Sequence, residues 1–467
     1  MRNPQRVAHS AIVSGRFTVV KDTAPDPASG IARQGLRQTD RVTTTDRIDE
    51  ALATARQHYV DRRPKTRALH EEAVGLLPGG NTRTVLYHPP FPIRVSRAEG
   101  SRLIDVDGHE YVDLLGNFSA GLYGHSDPAI ADAVTGALRE GIGPGAHTAR
   151  EVAMARAVCD RFPTIERVRF TNSGTEANLM ALSAARAFTG RDRILAFRGG
   201  YHGGLLTFPY DPSPVNAPYD VVLGSYNDAE QAAKLVQQQA DALAAVLVEP
   251  MLGAGGCIPG EPEFLQALRS ACDATGALLI LDEVMTSRIG RGGIQPLLGI
   301  DADLTTLGKY LGGGFSFGAF GGRADVMAIF DPSSPTPLPH AGTFNNNLAS
   351  MVAGHAGLTR VYTPDVAEWH TARGDALRDR LNDMFGRADA PYQVTGLGTL
   401  MNIHATTAPI RRVEDLTGAD ERLRELLFLA LLDRGYYIAG RGYLALSLAV
   451  TDEQLDGFVA AVAEVVA

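Results

Sequence analysis

Lys309 stands in Thr305-Thr306-Leu307-Gly308-Lys309-Tyr310-Leu311-Gly312-Gly313-Gly314, 27 positions after Asp282, which closes the apolar run Ala277-Leu278-Leu279-Ile280-Leu281. An amine at the end of a buried strand can form a Schiff base with an aldehyde. A carboxylate at a neighbouring strand end can hold a pyridine nitrogen protonated, so that the ring accepts electrons. Taken singly, each has a plainer reading: a lysine among glycines is usually solvated, and an Asp after a strand is most often a helix cap. A third group adds to the pair. Val168-Arg169-Phe170 runs into Thr171-Asn172-Ser173-Gly174-Thr175-Glu176-Ala177-Asn178, and helical spacing begins at once with Leu179, Leu182 and Ala185. A strand, a tight turn and a helix start turn free backbone N–H groups toward an anion, so Ser173, Gly174 and Thr175 are phosphate ligands or, on the simpler reading, an N-cap. Aldehyde, pyridine and phosphate together describe pyridoxal 5'-phosphate.

Other residues fall in step with that ligand. Gly199-Gly200-Tyr201-His202-Gly203-Gly204 follows a strand and sets an aromatic ring among glycines, where a flat cofactor can approach the backbone. Tyr201 can stack on the ring or pack on the core, and His202 reads as a structural loop residue. Glu249, after Ala245-Val246-Leu247-Val248, can join the network around the ring oxygen or serve as a cap or ion-pair partner. Val284 shares the side of Asp282 if the strand continues, and can then cover the second ring face. Thr343, in Ala341-Gly342-Thr343-Phe344-Asn345-Asn346-Asn347, offers a further phosphate donor or an ordinary loop and cap.

These residues need a frame. Between about residues 125 and 330, short apolar runs alternate with helical stretches, which indicates a mostly parallel sheet covered by helices, with ligands beyond the carboxyl ends of its strands. Before it, two helices between residues 44 and 77 lead into Ile93-Arg94-Val95, Leu103-Ile104-Asp105-Val106, Asp107-Gly108 and Tyr111-Val112-Asp113-Leu114, a small antiparallel region. After residue 345 come long helices, the stretch from Val394 to His404, a helix near Ala419 to Leu432, and two short strands at Tyr436 and Tyr443. The expected division is a flexible tail over residues 1–42, the first part of a small domain over 43–120, a large cofactor-binding domain over 121–345, and helices with the rest of the small domain over 346–467.

The chain has 467 residues, 45% hydrophobic and 21% charged, enough for a large core. Its net charge of -9 speaks against a broad nucleic-acid surface. No apolar run reaches membrane-spanning length. Three scattered cysteines with no CxxC pair indicate neither a disulfide framework nor a zinc site, which fits a reducing cytoplasm.

With the motifs assembled, the sequence from about residue 45 to 467 resembles the class III aminotransferases of fold type I. The stretches Phe170 to Asn178, Asp282-Glu283-Val284-Met285-Thr286-Ser287-Arg288, Phe315 to Arg323 and Thr343 to Asn347 look most like the aromatic β-amino acid, or β-phenylalanine, aminotransferases; glutamate-1-semialdehyde aminomutase is a cousin. The resemblance implies an α/β fold: a large domain built on a mostly parallel seven-stranded sheet, and a small α+β domain drawn from both chain ends. It implies that Lys309 bonds the cofactor aldehyde, Asp282 pairs with the pyridine nitrogen, Ser173, Gly174 and Thr175 bind phosphate, and Tyr201 stacks on the ring. It further implies a homodimer with the active site at the interface, where Thr343 reaches the neighbouring subunit's phosphate.

The chain departs from many class III members. The Glu they carry five positions after the Glu-Pro glutamate is here Ala254, and the late strand Tyr443-Leu444-Ala445-Leu446-Ser447-Leu448 contains no arginine. Arg83 and Arg441 stand where the β-phenylalanine enzymes have arginines that recognise substrate carboxylates; the plainer reading of each is a surface salt bridge. Val85, Tyr87 and Phe91 can wall an aryl group or belong to the core. The expected reaction moves the amino group of a small-molecule β-amino acid, (S)-β-phenylalanine or another aromatic one, to 2-oxoglutarate or pyruvate. The alternatives are a semialdehyde aminomutase-type isomerisation and transamination of another amine.

Overall fold

The computed structural model describes residues 44–209 and 213–466, so the expected tail over residues 1–42 lies outside the described residues. Seven strands form the central sheet: β1 (Arg167–Thr171), β2 (Arg193–Phe197), β3 (Val221–Gly224), β4 (Leu243–Val248), β5 (Leu278–Asp282), β6 (Leu304–Gly308) and β7 (Gly318–Gly322), in the spatial order β1-β7-β6-β5-β4-β2-β3. Every residue of β4, β5, β6 and β7 is buried, which is why these segments read as unbroken apolar or small-residue runs instead of alternating ones. Six strands are parallel, and β7 runs antiparallel to both β6 and β1.

Register decides where the chemistry falls. Val248 lies opposite Leu281, and Asp282 lies opposite Thr306. Glu249, Asp282 and Lys309 therefore leave three adjacent parallel strands at the same edge of the sheet. The glycines of β7 bring the edge strand in close: a Cβ on Gly318 would stand 2.1 Å from the Ser173 carbonyl oxygen. One face is covered by the helix Gly174–Thr189, whose buried side is the small-residue set Ala177, Ala181, Ala184 and Ala185 with Leu182 and one polar member, Asn178. Small side chains let that helix lie near the strands.

A second layer comes from both chain ends. Val95–Glu99, Arg102–Asp105 and Glu110–Asp113 are antiparallel, and Tyr436–Tyr437 adds to Glu110–Asp113 in parallel, Tyr436 opposite Val112. The first of these strands begins later than the apolar Ile93 suggests: Ile93 is buried ahead of it, and the strand itself is almost wholly exposed, leaving no alternation to read. Gln393–Leu397, Leu400–His404 and Tyr443–Ala445 make a further antiparallel sheet. The core here joins Leu52, Tyr59 and Tyr111 to Leu381, Leu431 and Phe458. Inside it Arg63 donates to the Tyr111 hydroxyl at 2.9 Å, which donates to Asp105 at 2.7 Å, so a buried charge pair is bridged by a phenol.

Candidate active site

Asp282, 4% exposed, is the best-partnered acid at the sheet edge. Its Oδ2 accepts from Asn178 Nδ2 at 2.8 Å and faces His202 Nδ1 at 2.9 Å; its Oδ1 accepts from the Val284 amide at 3.0 Å. Asn178 is itself held by Thr306, whose hydroxyl donates to Asn178 Oδ1 at 2.8 Å. The carboxylate is thus fixed in direction by neutral donors and the His202 ring. Glu249 is buried beside it and accepts from the amides of Tyr201 at 2.8 Å and Gly253 at 3.0 Å. Burial pushes the Glu249 pKa above the usual carboxylate range, with His202 opposing and Asp282 adding to the rise.

Lys309 follows β6 in a left-handed conformation, φ 55°. The cavity reaches its side chain, yet protein surrounds the amine closely enough that burial brings its pKa down to about 8; Asp282 and Glu249 oppose that fall, and Arg441 adds to it. Such an amine is half free base at a pH of about 8, far more than an ordinary lysine, and the free base is the form a nucleophile needs.

The turn Ser173 to Thr175 sits against this strand end. Ser173 Oγ accepts from the Glu176 amide at 3.2 Å, as an N-cap does, and a Cβ on Gly308 would lie 3.5 Å from the Gly174 nitrogen. Gly203, φ 114°, passes so near that a Cβ there would stand 2.2 Å from Thr175 Oγ1. Val284 lies between Gly174 and Gly308, its methyls 2.8 Å and 3.2 Å from where their Cβ atoms would be. Strand β5 ends at Asp282, so Val284 reaches this place through a turn instead of a continuing strand.

Above Lys309 opens a cavity of about 780 Å³, large enough for a drug-sized ligand, whose lining includes Tyr201, Arg83, Arg424 and Arg441. Arg441 donates to the Ala254 carbonyl at 3.3 Å and lies over the rings of Phe118 and Tyr443, 5.5 and 5.7 Å from their centroids. Arg83 donates to Asn117 Oδ1 at 3.2 Å. Both arginines therefore rest on one unusual turn, in which Gly116, Asn117, Phe118 and Ser119 all have positive φ, between 45° and 76°. For a non-glycine residue that conformation costs roughly 1–2 kcal/mol, strain held at the cavity wall.

Among the expected residues, Lys309, Tyr201, Arg83 and Arg441 line this one cavity, with Asp282, Glu249, Val284 and the Ser173 to Thr175 turn packed around its floor. Thr343 lies elsewhere, in an exposed loop next to Phe344, itself 65% exposed. Val85 and Tyr87 line the cavity, but Phe91 does not: it is 5% exposed in the core against Tyr59 and His70. Sequence reasoning missed Asn178 and Arg424 and read His202 only as a structural loop residue. A polar residue within the alanine face of a helix, such as Asn178, is the signal that could have been used, since burial there demands a partner.

The donor set fits pyridoxal 5'-phosphate: a helix N-terminus with a hydroxyl cap, a fixed buried carboxylate and a weakly basic buried lysine converge within one sheet edge. The class-III aminotransferase family model matches residues 85–466. The chain is 52% identical over 415 residues to the β-phenylalanine transaminase of Variovorax paradoxus, covering 89% of this chain and 95% of that protein. The crystal structure of the β-phenylalanine aminotransferase from that organism superposes with a TM-score of 0.88, covering 89% of this chain and 97% of that one. A transaminase solved with PLP bound is 36% identical, with a TM-score of 0.79 and coverage of 86% and 97%. A glutamate-1-semialdehyde aminomutase from Pseudomonas aeruginosa PAO1 has a TM-score of 0.83 over 90% and 98% of the two chains; at 22% identity it speaks for the fold alone.

Proposed function

This chain belongs to the class III aminotransferases and is a pyridoxal phosphate-dependent transaminase of fold type I, and on that premise we propose that its amino donor is a β-amino acid, (S)-β-phenylalanine or another aromatic one, and its acceptor a keto acid, 2-oxoglutarate or pyruvate. The observation that carries this reading is the pairing, above Lys309, of two guanidiniums with an apolar wall of Val85, Tyr87, Phe118 and Tyr443. An arginine fork grips a carboxylate through two parallel hydrogen bonds, and the wall takes an aryl group. The Variovorax paradoxus relative, 52% identical, is a β-phenylalanine transaminase.

In this reading Ser173, Gly174 and Thr175 would hold the cofactor phosphate, Tyr201 and Val284 would pack on the ring, Asp282 would pair with the ring nitrogen, and Glu249 would join the hydrogen bonds around the ring oxygen. When bound, the cofactor supplies an electron sink for the carbon that loses a proton. Lys309 Nζ is the group that would take that proton from the substrate carbon bearing nitrogen and pass it to the cofactor, and would run the same transfer in reverse for the acceptor, as suits a base whose pKa burial brings to about 8. Asp282, oriented by Asn178 and His202, keeps the ring nitrogen's proton in place. Arg83 and Arg441 hold carboxylates away from the reacting carbon.

The working form is a homodimer in this reading, with Thr343 serving the neighbouring subunit's phosphate. The exposed Phe344 beside Thr343 supplies apolar surface for such a contact. Three cysteines without disulfide partners fit a reducing cytoplasm, and among the described residues no helix is long and apolar enough to cross a membrane.

The test mixes protein loaded with pyridoxal phosphate with (S)-β-phenylalanine and no acceptor, and follows the cofactor spectrum. Conversion to the pyridoxamine form is expected. No conversion with this donor, in protein that does convert with another amine, would remove the β-amino acid assignment.

A further inference from the structure

The third guanidinium in the cavity has no part in the scheme above. The helix Glu421–Asp433 turns Glu421, Arg424, Glu425 and Phe428 toward the cavity, positions spaced 0, 3, 4 and 7 along one helical face. The charges on that face are not equivalent. Glu425 is tied down by Arg56, which donates to both its oxygens at 2.6 and 2.7 Å. Glu421 touches Arg424 but is 65% exposed, so water screens most of its charge, whereas the Arg424 side chain is only 20% exposed.

Arg424 is thus a largely buried cation beside another cation. Burial, and then the neighbouring Arg441, pull its pKa down to about 10. Two guanidiniums facing one cavity whose one largely buried acid, Glu425, is already held by Arg56 repel each other, and an anion arriving there relieves that repulsion. Their order along the cavity also matters. Arg441 reaches the Ala254 carbonyl, in the loop that follows Glu249 and so on the floor side, whereas Arg424 stands on the helix Glu421–Asp433 that walls the cavity. A carboxylate close to the reacting carbon meets Arg441 or Arg83, and one carried farther out on the same molecule meets Arg424.

We propose that Arg424 binds the distal carboxylate of a dicarboxylic keto acid, making a dicarboxylate such as 2-oxoglutarate, and not pyruvate, the preferred amino acceptor. This rests on the transaminase reading above and adds the acceptor class to it. A lysine would keep the charge but lose the planar fork, so the site is specific to arginine.

The experiment compares wild type, Arg424→Gln and Arg424→Lys, all loaded with cofactor. The first readout is equilibrium binding of glutarate and of butyrate, unreactive acids with two carboxylates and one. Arg424→Gln is expected to weaken glutarate at least tenfold and to leave butyrate within twofold, with Arg424→Lys intermediate. The second readout is the acceptor half-reaction of the pyridoxamine form. Arg424→Gln should lose at least tenfold in kcat/KM for 2-oxoglutarate, mainly through KM, with pyruvate nearly unchanged. Equal losses for both acids, or unchanged glutarate binding, would overturn the proposal. If wild type fails to accept any β-amino acid, the donor assignment falls, while glutarate binding still decides the role of Arg424.

Discussion

The two ends of the cavity are built on different principles. At the floor, Asp282, Glu249 and Asn178 come from strand ends or the buried face of a helix, are less than 6% exposed, and have their oxygens held by specific donors. At the opposite end, Arg83, Arg424 and Arg441 come from loops and an amphipathic helix, and their partners are a carbonyl, an amide oxygen and an exposed glutamate. The floor is preorganised for one group that stays. The other end is left short of anionic partners because its ligands change twice in every cycle, and a transaminase must release each of them.

Removing Lys309 should break the comparison most severely. Lys309→Ala should lower turnover by on the order of 10⁴-fold or more, and abolish the absorbance of lysine-bound cofactor, because both nucleophile and base are lost. Single-turnover kinetics with the donor would check it; near-normal turnover would end the proposed mechanism. Asp282→Asn keeps the shape and removes the charge, so kcat should fall by about 10²–10⁴-fold, with some loss of melting temperature because an amide nitrogen now faces a buried donor. A KM effect alone would move Asp282 out of the chemistry.

The smallest effect links the two ends. In cofactor-free protein, the rate at which Lys309 captures added pyridoxal phosphate should rise with pH around a midpoint at the Lys309 pKa of about 8 and level off above it, since only the neutral amine attacks. Arg441→Met removes a cation that holds that pKa down, so the midpoint should move upward and capture at pH 7 should slow. Stopped-flow absorbance across pH 6 to 10 reads it, and an unmoved midpoint would show the two ends to be electrostatically independent.

The same contrast decides what the sequence discloses. Asp282, Glu249 and the Ser173 to Thr175 turn are legible because each sits where an apolar run stops, a local pattern, and a mostly parallel sheet follows from those runs, whereas its seven strands and the role of Lys309 came with the family resemblance as well. The direction of β7 is not legible, because Gly318 to Gly322 carries no side-chain signal of its neighbours. Nor is the convergence of Asn178 and His202 on one oxygen of Asp282, which joins residues 104 and 80 positions apart. Arg424 hides in Glu421-Arg422-Leu423-Arg424-Glu425, which reads as a solvated, salt-bridged helix face. Phe91 misleads in the opposite sense: it neighbours cavity residues in sequence, yet Tyr59 donates to its carbonyl at 2.8 Å from the core side.

The parallel pairing of Tyr436–Tyr437 with Glu110–Asp113 has a consequence for how the enzyme comes into being. It closes a loop of more than three hundred residues, among the slowest kinds of contact for a chain to find. The strands that carry Glu249, Asp282 and Lys309 are complete well before Tyr436 leaves the ribosome. The residues of the floor are therefore translated before Arg424 and Arg441, and the wall that tells one carboxylic acid from another is the part of the cavity completed last.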